Sequence, residues 1–175
     1  MEQFSLFDPG HAGDLVVLQK GTSSVYTLTD GMKEYGELSY PNDRLRIINS
    51  AQHNWNFVPG KSYKPDIVIN DTSTGQTIAV VKTSTWGSRI TIEFADGQIF
   101  KFHRPFVFTK KPYWHNEQFG NVLSFEYEPV HLKLHFKVIP EQSAFKNNDY
   151  LLLMTFASVH LVAERRISGF RGMQD

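Results

Sequence analysis

Polar and apolar residues alternate in short runs through most of this chain. The run from Arg89 to Phe94 keeps a strict period of two, and the runs from Gln98 to His103 and from Asn121 to Tyr127 are similar. The run from His131 to Val138 places four apolar residues on one face and four polar residues on the other. Because successive side chains of a β-strand point to opposite faces, these runs predict strands that turn one face to a core.

Turn-forming residues separate the runs and indicate how many strands there are. Asp96-Gly97 lies between two alternating runs and predicts a type I′ hairpin turn, in which both central residues take positive φ. Asp30-Gly31 and Thr74-Gly75 interrupt the chain in a similar way. From the usual spacing of strands in all-β domains, we expect about twelve strands between Leu15 and Val138.

One segment breaks the alternation. The chain from Tyr150 to Ala163 is apolar around its whole circumference, and it predicts an α-helix capped by Asn148 or Asp149 and left at Gly169. Such a helix is buried on all sides or lies in a membrane, and this one is shorter than the roughly 20 residues that a span needs. We therefore predict a buried core helix, with a membrane-inserted segment as the alternative.

Together these elements predict an all-β domain: a closed antiparallel β-barrel of about twelve strands around a hydrophobic C-terminal α-helix. A barrel of this size has a lumen wider than its own side chains fill, and a central apolar helix solves that packing problem. Residues 1–14 are interpreted as an N-terminal extension, 15–166 as the barrel domain and 167–175 as a C-terminal tail.

Three parts of the chain resemble a known family. These are Ser24 to Asp30 with Glu37 to Tyr40, the stretch from Asp71 to Phe100, and the helix from Tyr150 to Ala163. They are similar to the opening strands, the middle of the barrel and the buried C-terminal helix of the tubby C-terminal-like superfamily, above all its LURP-one-related and scramblase-like small single-domain members. The resemblance implies a binding role at membranes, through anionic phospholipid or a protein partner. The lipid-binding and calcium-binding motifs of the larger relatives have no residue-by-residue match here.

Composition and charge narrow the classes of function. Lys plus Arg and Asp plus Glu each number 18, so the chain lacks the basic footprint of a dedicated nucleic-acid binder, and we expect no nucleic-acid partner. The absence of Cys excludes a disulfide scaffold and thiolate chemistry. No basic start with an apolar run follows Met1, so we expect no secretory signal and a cytoplasmic location.

Catalytic and metal-binding patterns are weak in this sequence. On a strand, His131 and His135 would lie about 13 Å apart, too far to share one ion. Sequence spacing does not determine whether His53, His103 and His115 lie close together in the folded chain. The chain has no Gly-x-Ser-x-Gly elbow, so we expect no enzyme activity, no metal and no cofactor.

The stretch richest in basic and aromatic residues runs from Phe106 to His115. Within it, Lys110, Lys111, Tyr113 and Trp114 predict a ligand site, with the lysines on an anionic headgroup and the rings at the interface. The alternative is a surface loop whose Trp114 packs against the barrel.

A second, smaller basic group follows the helix core. It consists of Arg165, Arg166 and Arg171, and compensation of the helix dipole explains two of these without any ligand. We predict a non-catalytic binding or adaptor module. The alternative is a small-ligand carrier, or an enzyme that uses a pocket at the barrel mouth. The two classes differ in the lumen, which the helix fills in the first and which holds an apolar cavity in the second.

Overall fold

The computed structural model describes residues 4–10, 14–21, 24–42, 45–60, 66–84, 89–103, 111–130, 133–141 and 144–171, with backbone only for 127–130, 133–134 and 164–171. These residues form twelve strands and one helix. The elements are β1 Leu15–Gln19, β2 Val25–Thr29, β3 Glu34–Asn42, β4 Leu45–Ser50, β5 Asn54–Pro59, β6 Ile67–Asp71, β7 Thr77–Thr83, β8 Ile90–Phe94, β9 Ile99–His103, β10 Tyr113–Asn116, β11 Gly120–Val130, β12 Lys133–Pro140 and α1 Asn148–Arg171.

Each strand pairs with the next one along the chain, and the last strand closes on the first. Every pairing is antiparallel, and β1 meets β12 with Leu15 opposite Val138. No strand of the described sheet is therefore left with an unpaired edge, which is the structural advantage of full closure. The predicted closed barrel of about twelve strands around one C-terminal helix is confirmed.

The alternating runs of the sequence become the two faces of the barrel wall. In β8, Ile90, Ile92 and Phe94 are buried, whereas the two residues between them are only partly covered. In β9, Phe100 and Phe102 are buried between three exposed residues. The period of two therefore assigns the inward side chains correctly along these strands.

The turn between β8 and β9 differs from its prediction. Gly97 donates its N–H to the Phe94 carbonyl at 2.9 Å, and Phe94 donates to the Gln98 carbonyl at 2.9 Å. These bonds enclose a three-residue loop with Gly97 in the left-handed region at φ 90°. This is the geometry of a type I turn followed by a glycine bulge, so the predicted two-residue type I′ turn is wrong.

The helix fills the interior of the barrel. All ten residues from Leu151 to His160 are buried, including Leu152 and Leu153. The Phe156 side chain reaches Gly36 of β3, and the Ser158 side chain reaches Trp114 of β10 on the other side of the ring of strands. The predicted buried helix is confirmed. Among the described residues, no helix combines the length and apolar character that a membrane crossing requires.

Both ends of the helix lie outside the predicted bounds. Asn147 is the cap, because its side-chain oxygen accepts the Tyr150 N–H at 3.1 Å, one residue earlier than predicted. At the other end the helix continues to Arg171, so Gly169 lies within it. Arg and Glu favour continuation of a helix and no Pro intervenes, so one Gly, which costs about 1 kcal/mol, does not end it. The helix thus runs without a break through residues 166 and 167, where the sequence-based division begins a tail.

The up-and-down topology gives the barrel two distinct ends. At the helix-start end lie the β2–β3, β4–β5, β6–β7, β8–β9 and β10–β11 turns, and Tyr150 stacks there on Phe94 with ring centroids 3.6 Å apart. At the helix-exit end lie the other connections, and the helix reaches it past His160, which contacts Phe57. Phe7, before β1, packs on Tyr35 and thereby joins the core at the helix-start end.

Candidate functional site

The predicted site residues lie at the start of β10, where the pleat separates them into two groups. Trp114 and Asn116 point inward and are buried, whereas Tyr113 and His115 lie on the outer side and are partly exposed. Lys111 precedes the strand and is exposed. Lys110 lies outside the described residues. The sequence motif is thus divided between the barrel interior and its outer wall.

Trp114 belongs to the core. Its side chain is fully buried, and its indole N–H donates to the Ser158 hydroxyl of the helix at 2.8 Å. A side chain inside the wall cannot contact a ligand on the outer face, so the predicted surface role of Trp114 is corrected to a structural one. The signal was present in the sequence, because the alternation that exposes Tyr113 and His115 buries the residue between them.

Lys111 is one member of a row of alternating charges on the outer wall. Its ammonium forms a short ion pair with the Glu126 carboxylate of β11. This contact, and next the positive charge of Lys111 and of Lys137, holds the pKa of Glu126 below its usual value. Lys137 in turn lies 3.7 Å from the Asp14 carboxylate. Because Glu126 is ionised at neutral pH, an anionic ligand of Lys111 has to compete with it.

Two imidazoles and a phenol meet beside Lys111. The His103 ring stacks on the Tyr113 ring with centroids 4.9 Å apart, and it meets the His115 ring edge-on at 5.9 Å. Partial burial, then the neighbouring His115 and Lys101, lower the pKa of His103. The neutral form of the His103 imidazole is therefore favoured.

The outer surface formed by Lys101, His103, Lys111, Tyr113, His115 and Glu126 is called here the β9–β11 face. Register explains its composition, since Tyr113 pairs with His103 and His115 pairs with Lys101 across β9 and β10. Residues ten or more positions apart in sequence thereby become neighbours.

The other histidines lie elsewhere in the fold. His53 contacts the Asp149 carboxylate at 3.1 Å near the start of the helix, so it does not join His103 and His115. His160 is buried within hydrogen-bond distance of the Tyr40 hydroxyl at 2.9 Å, which confirms its predicted role as a hydrogen-bonded core residue. His131 lies outside the described residues. Within the part of the chain that the structure describes, no cluster of three or more His, Asp or Glu side chains is arranged to hold a metal ion.

A cavity of about 470 Å³ opens on the wall between the β8–β9 and β10–β11 turns. Its lining includes Asp96, Gln98, Asn116 and the paired side chains of Lys101 and Glu117, whose charged atoms are 2.6 Å apart. The lining mixes polar and apolar surface and contains an ion pair, whereas apolar surface dominates most small-molecule sites. The cavity also lies outside the lumen. The carrier hypothesis requires an apolar cavity inside the lumen.

Two buried hydroxyl groups of the helix are satisfied by the helix backbone. The Thr155 hydroxyl donates to the Leu151 carbonyl at 2.8 Å, and the Ser158 hydroxyl donates to the Met154 carbonyl at 2.8 Å. These groups therefore serve the packing of the helix rather than presenting themselves to a ligand.

Comparison of the chain with models of known protein families, with curated proteins and with solved structures gave no match. The resemblance of the sequence to the tubby C-terminal-like superfamily stays a prediction, and the function is argued below from the geometry of this chain.

Proposed function

We propose that this protein is a non-catalytic binding module that contacts anionic lipid headgroups at a membrane surface through the outside of its barrel. The observation that carries the proposal is the filled lumen. Ten consecutive helix residues are buried inside the ring of strands, which leaves the outer wall and the barrel ends as the surfaces that a ligand can reach. This favours a surface-binding module over a carrier that holds an apolar ligand inside.

On the outer wall, the β9–β11 face has the chemistry that an anionic headgroup requires. The Lys111 side chain is 51% exposed, enough to exchange its carboxylate partner for a phosphate. Tyr113 lies two residues further along the same side and offers an amphipathic ring of the kind found at bilayer interfaces. A basic residue near an anionic membrane surface contributes about 1 kcal/mol, so the expected binding is weak and sensitive to salt.

Vesicle sedimentation of the full chain tests this function. Mixed vesicles of phosphatidylcholine and phosphatidylserine, which have a negative surface potential, are compared with vesicles of phosphatidylcholine alone at low and moderate salt. We expect binding only to the anionic vesicles, and an affinity about fivefold lower for Lys111→Gln. Lys33→Gln removes one charge at the helix-start end and serves as the matched control. Absence of sedimentation at low salt, or equal losses in the two variants, would contradict the proposal.

A further inference from the structure

The charges of this neutral protein are separated between the two ends of the barrel. At the helix-start end, acidic residues in the connections and at the strand and helix termini outnumber two lysines, Lys33 and Lys146. Among the described residues, these acids are Asp8, Asp14, Asp30, Asp71, Asp96, Glu117, Glu141 and Asp149. Three acids of this end are balanced by lysines outside these connections: Glu34 by Lys20 at 3.3 Å, Glu117 by Lys101 at 2.6 Å and Asp14 by Lys137 at 3.7 Å. The six other acids still outnumber the two lysines.

Two acids of the helix-start end, Asp30 and Asp71, are held ionised at neutral pH by local hydrogen bonds. A hydrogen bond from the Tyr35 hydroxyl, followed by bonds from backbone N–H groups, lowers the pKa of Asp30 to about 2. A hydrogen bond from the Ser73 hydroxyl does the same for Asp71, again to about 2. The turns that hold these residues therefore fix negative charge at this end.

The helix-exit end has the opposite sign. Basic residues lie in or next to the connections at this end: Arg89 before β8, Lys111 before β10 and Lys133 at the start of β12. Among the described residues of the same connections, Asp66 before β6 is the one acidic residue. The helix continues for eight residues past Ala163, which at 1.5 Å per residue adds about 12 Å in the direction of this end. These last turns of the helix contain the following charged residues: Glu164, Arg165, Arg166 and Arg171.

From this separation we infer that the helix-exit end docks on an anionic bilayer, with the final helical turns supplying a second basic contact beside Lys111. The inference rests on the proposed function and names the surface and orientation by which it acts. The two basic groups of the sequence lie at the same end because β10 begins there and the helix ends there. The like charge of the opposite end directs it away from the membrane.

The favoured partner is a bilayer because the basic residues belong to several different connections and to the helix end. A surface of this kind matches the broad negative charge of a bilayer, where each basic residue contributes a similar amount of binding free energy. Removal of all three arginines is therefore expected to weaken binding roughly 100-fold, about fivefold for each residue.

Orientation can be measured directly because the chain has no native Cys. Met32→Cys places a single thiol at the helix-start end, where the Met32 side chain is 93% exposed, and Val58→Cys places one near the end of β5 at the helix-exit end. Each variant of the full chain is labelled with a thiol-reactive fluorophore and mixed with phosphatidylserine-containing vesicles that carry a headgroup quencher. We expect several-fold stronger quenching at position 58 than at position 32. Equal or reversed quenching would overturn the inference even if the vesicles are bound.

Charge variants give an independent measurement. Arg165→Gln/Arg166→Gln, which removes two charges, is compared with Lys33→Gln/Lys146→Gln, which removes two at the other end, and Arg165→Gln/Arg166→Gln/Arg171→Gln extends the series, after thermal melting has verified that all three variants fold. If Lys111→Gln weakens binding but the arginine variants bind like wild type, the proposed function stands and this inference falls. If wild type does not bind at low salt, both fall. Tighter binding to a short DNA duplex than to the vesicles at equal salt would overturn the bilayer as the partner.

Discussion

The indole N–H of Trp114 donates a hydrogen bond to the hydroxyl of Ser158 at 2.8 Å, which joins the barrel wall to the helix inside it. The same hydroxyl donates to the Met154 carbonyl, so Ser158 links β10 to the preceding helical turn. Both side chains are buried, and neither group has water to replace its partner. This contact makes Trp114 a residue of the core rather than of the surface.

Ser158→Ala should destabilise the protein by about 1–3 kcal/mol, because it leaves the buried Trp114 N–H without an acceptor. Chemical denaturation gives the change in the free energy of unfolding. Thr155→Val is the control, since the Thr155 hydroxyl bonds only the Leu151 carbonyl among the described residues, and its loss is expected to cost less than about 1 kcal/mol. Equal losses in the two variants would show that the indole does not depend on Ser158.

Gly36→Ala should destabilise the fold by about 1–3 kcal/mol through steric crowding. A Cβ at Gly36 would lie 2.8 Å from the Asn49 backbone oxygen and 3.3 Å from the Phe156 ring, so the strand pairing and the helix both limit its room. Gly10→Ala is the control, because among the described residues its Cβ would meet only the Asp8 side chain, at 3.4 Å. A Gly36→Ala protein that unfolds at the same denaturant concentration as Gly10→Ala would refute this account.

Tyr35→Phe should remove a pH-dependent part of the stability. The Tyr35 hydroxyl donates to the Asp30 carboxylate at 2.6 Å, and this bond is the largest cause that lowers the pKa of Asp30 from 3.8 to about 2. Since the folded-state pKa is the lower one, the stabilisation is complete above the unfolded pKa and disappears as the pH falls from about 4 towards about 2. Burial and then the bond to Asp30 raise the pKa of Tyr35 from 10.0 to about 12. Since the folded-state pKa is here the higher one, this stabilisation is complete below about pH 10 and is lost as the pH rises from about 10 to about 12.

The measurement is the difference in melting temperature between wild type and Tyr35→Phe from pH 2 to pH 11. We expect a constant difference between about pH 5 and 9 that shrinks below about pH 4 and above about pH 10. Asp71, whose pKa is also about 2, is the same in both proteins and cancels from the difference. A difference that stays constant down to pH 2 would show that the two side chains are not coupled.

Glu126→Gln should strengthen binding to anionic vesicles by about fivefold, because it releases Lys111 from its ion pair and removes one negative charge from the β9–β11 face. Glu141→Gln makes the same change of charge at the helix-start end, outside the β9–β11 face, where we expect a smaller effect. Sedimentation at two salt concentrations provides both affinities. The same gain in both variants would indicate a response to net charge alone, without a role for Lys111.

Local patterns in the sequence were sufficient for the fold. The strict alternation of β8 predicts which of its side chains face inward, and the apolar segment from Leu151 to His160 predicts a buried helix. Both signals are strong because they repeat with the period of the backbone itself. The Asp96-Gly97 turn and the end of the helix were less well determined, since Gly is compatible with several turn types and is tolerated within a helix.

The candidate site depended on information that no single stretch of the chain contains. Lys111 and Glu126 become partners only through the pairing of β10 with β11, and the basic groups at Lys111 and Arg165 share an end only because the helix traverses the barrel. The overall charge is zero in the sequence, but antiparallel strands reverse direction at every turn and bring alternate connections to the same end. Residue types and their periodicity thus determined the strands, the helix and the core, whereas closure of the barrel around the helix decided which charges meet, because that depends on contacts between residues distant in sequence.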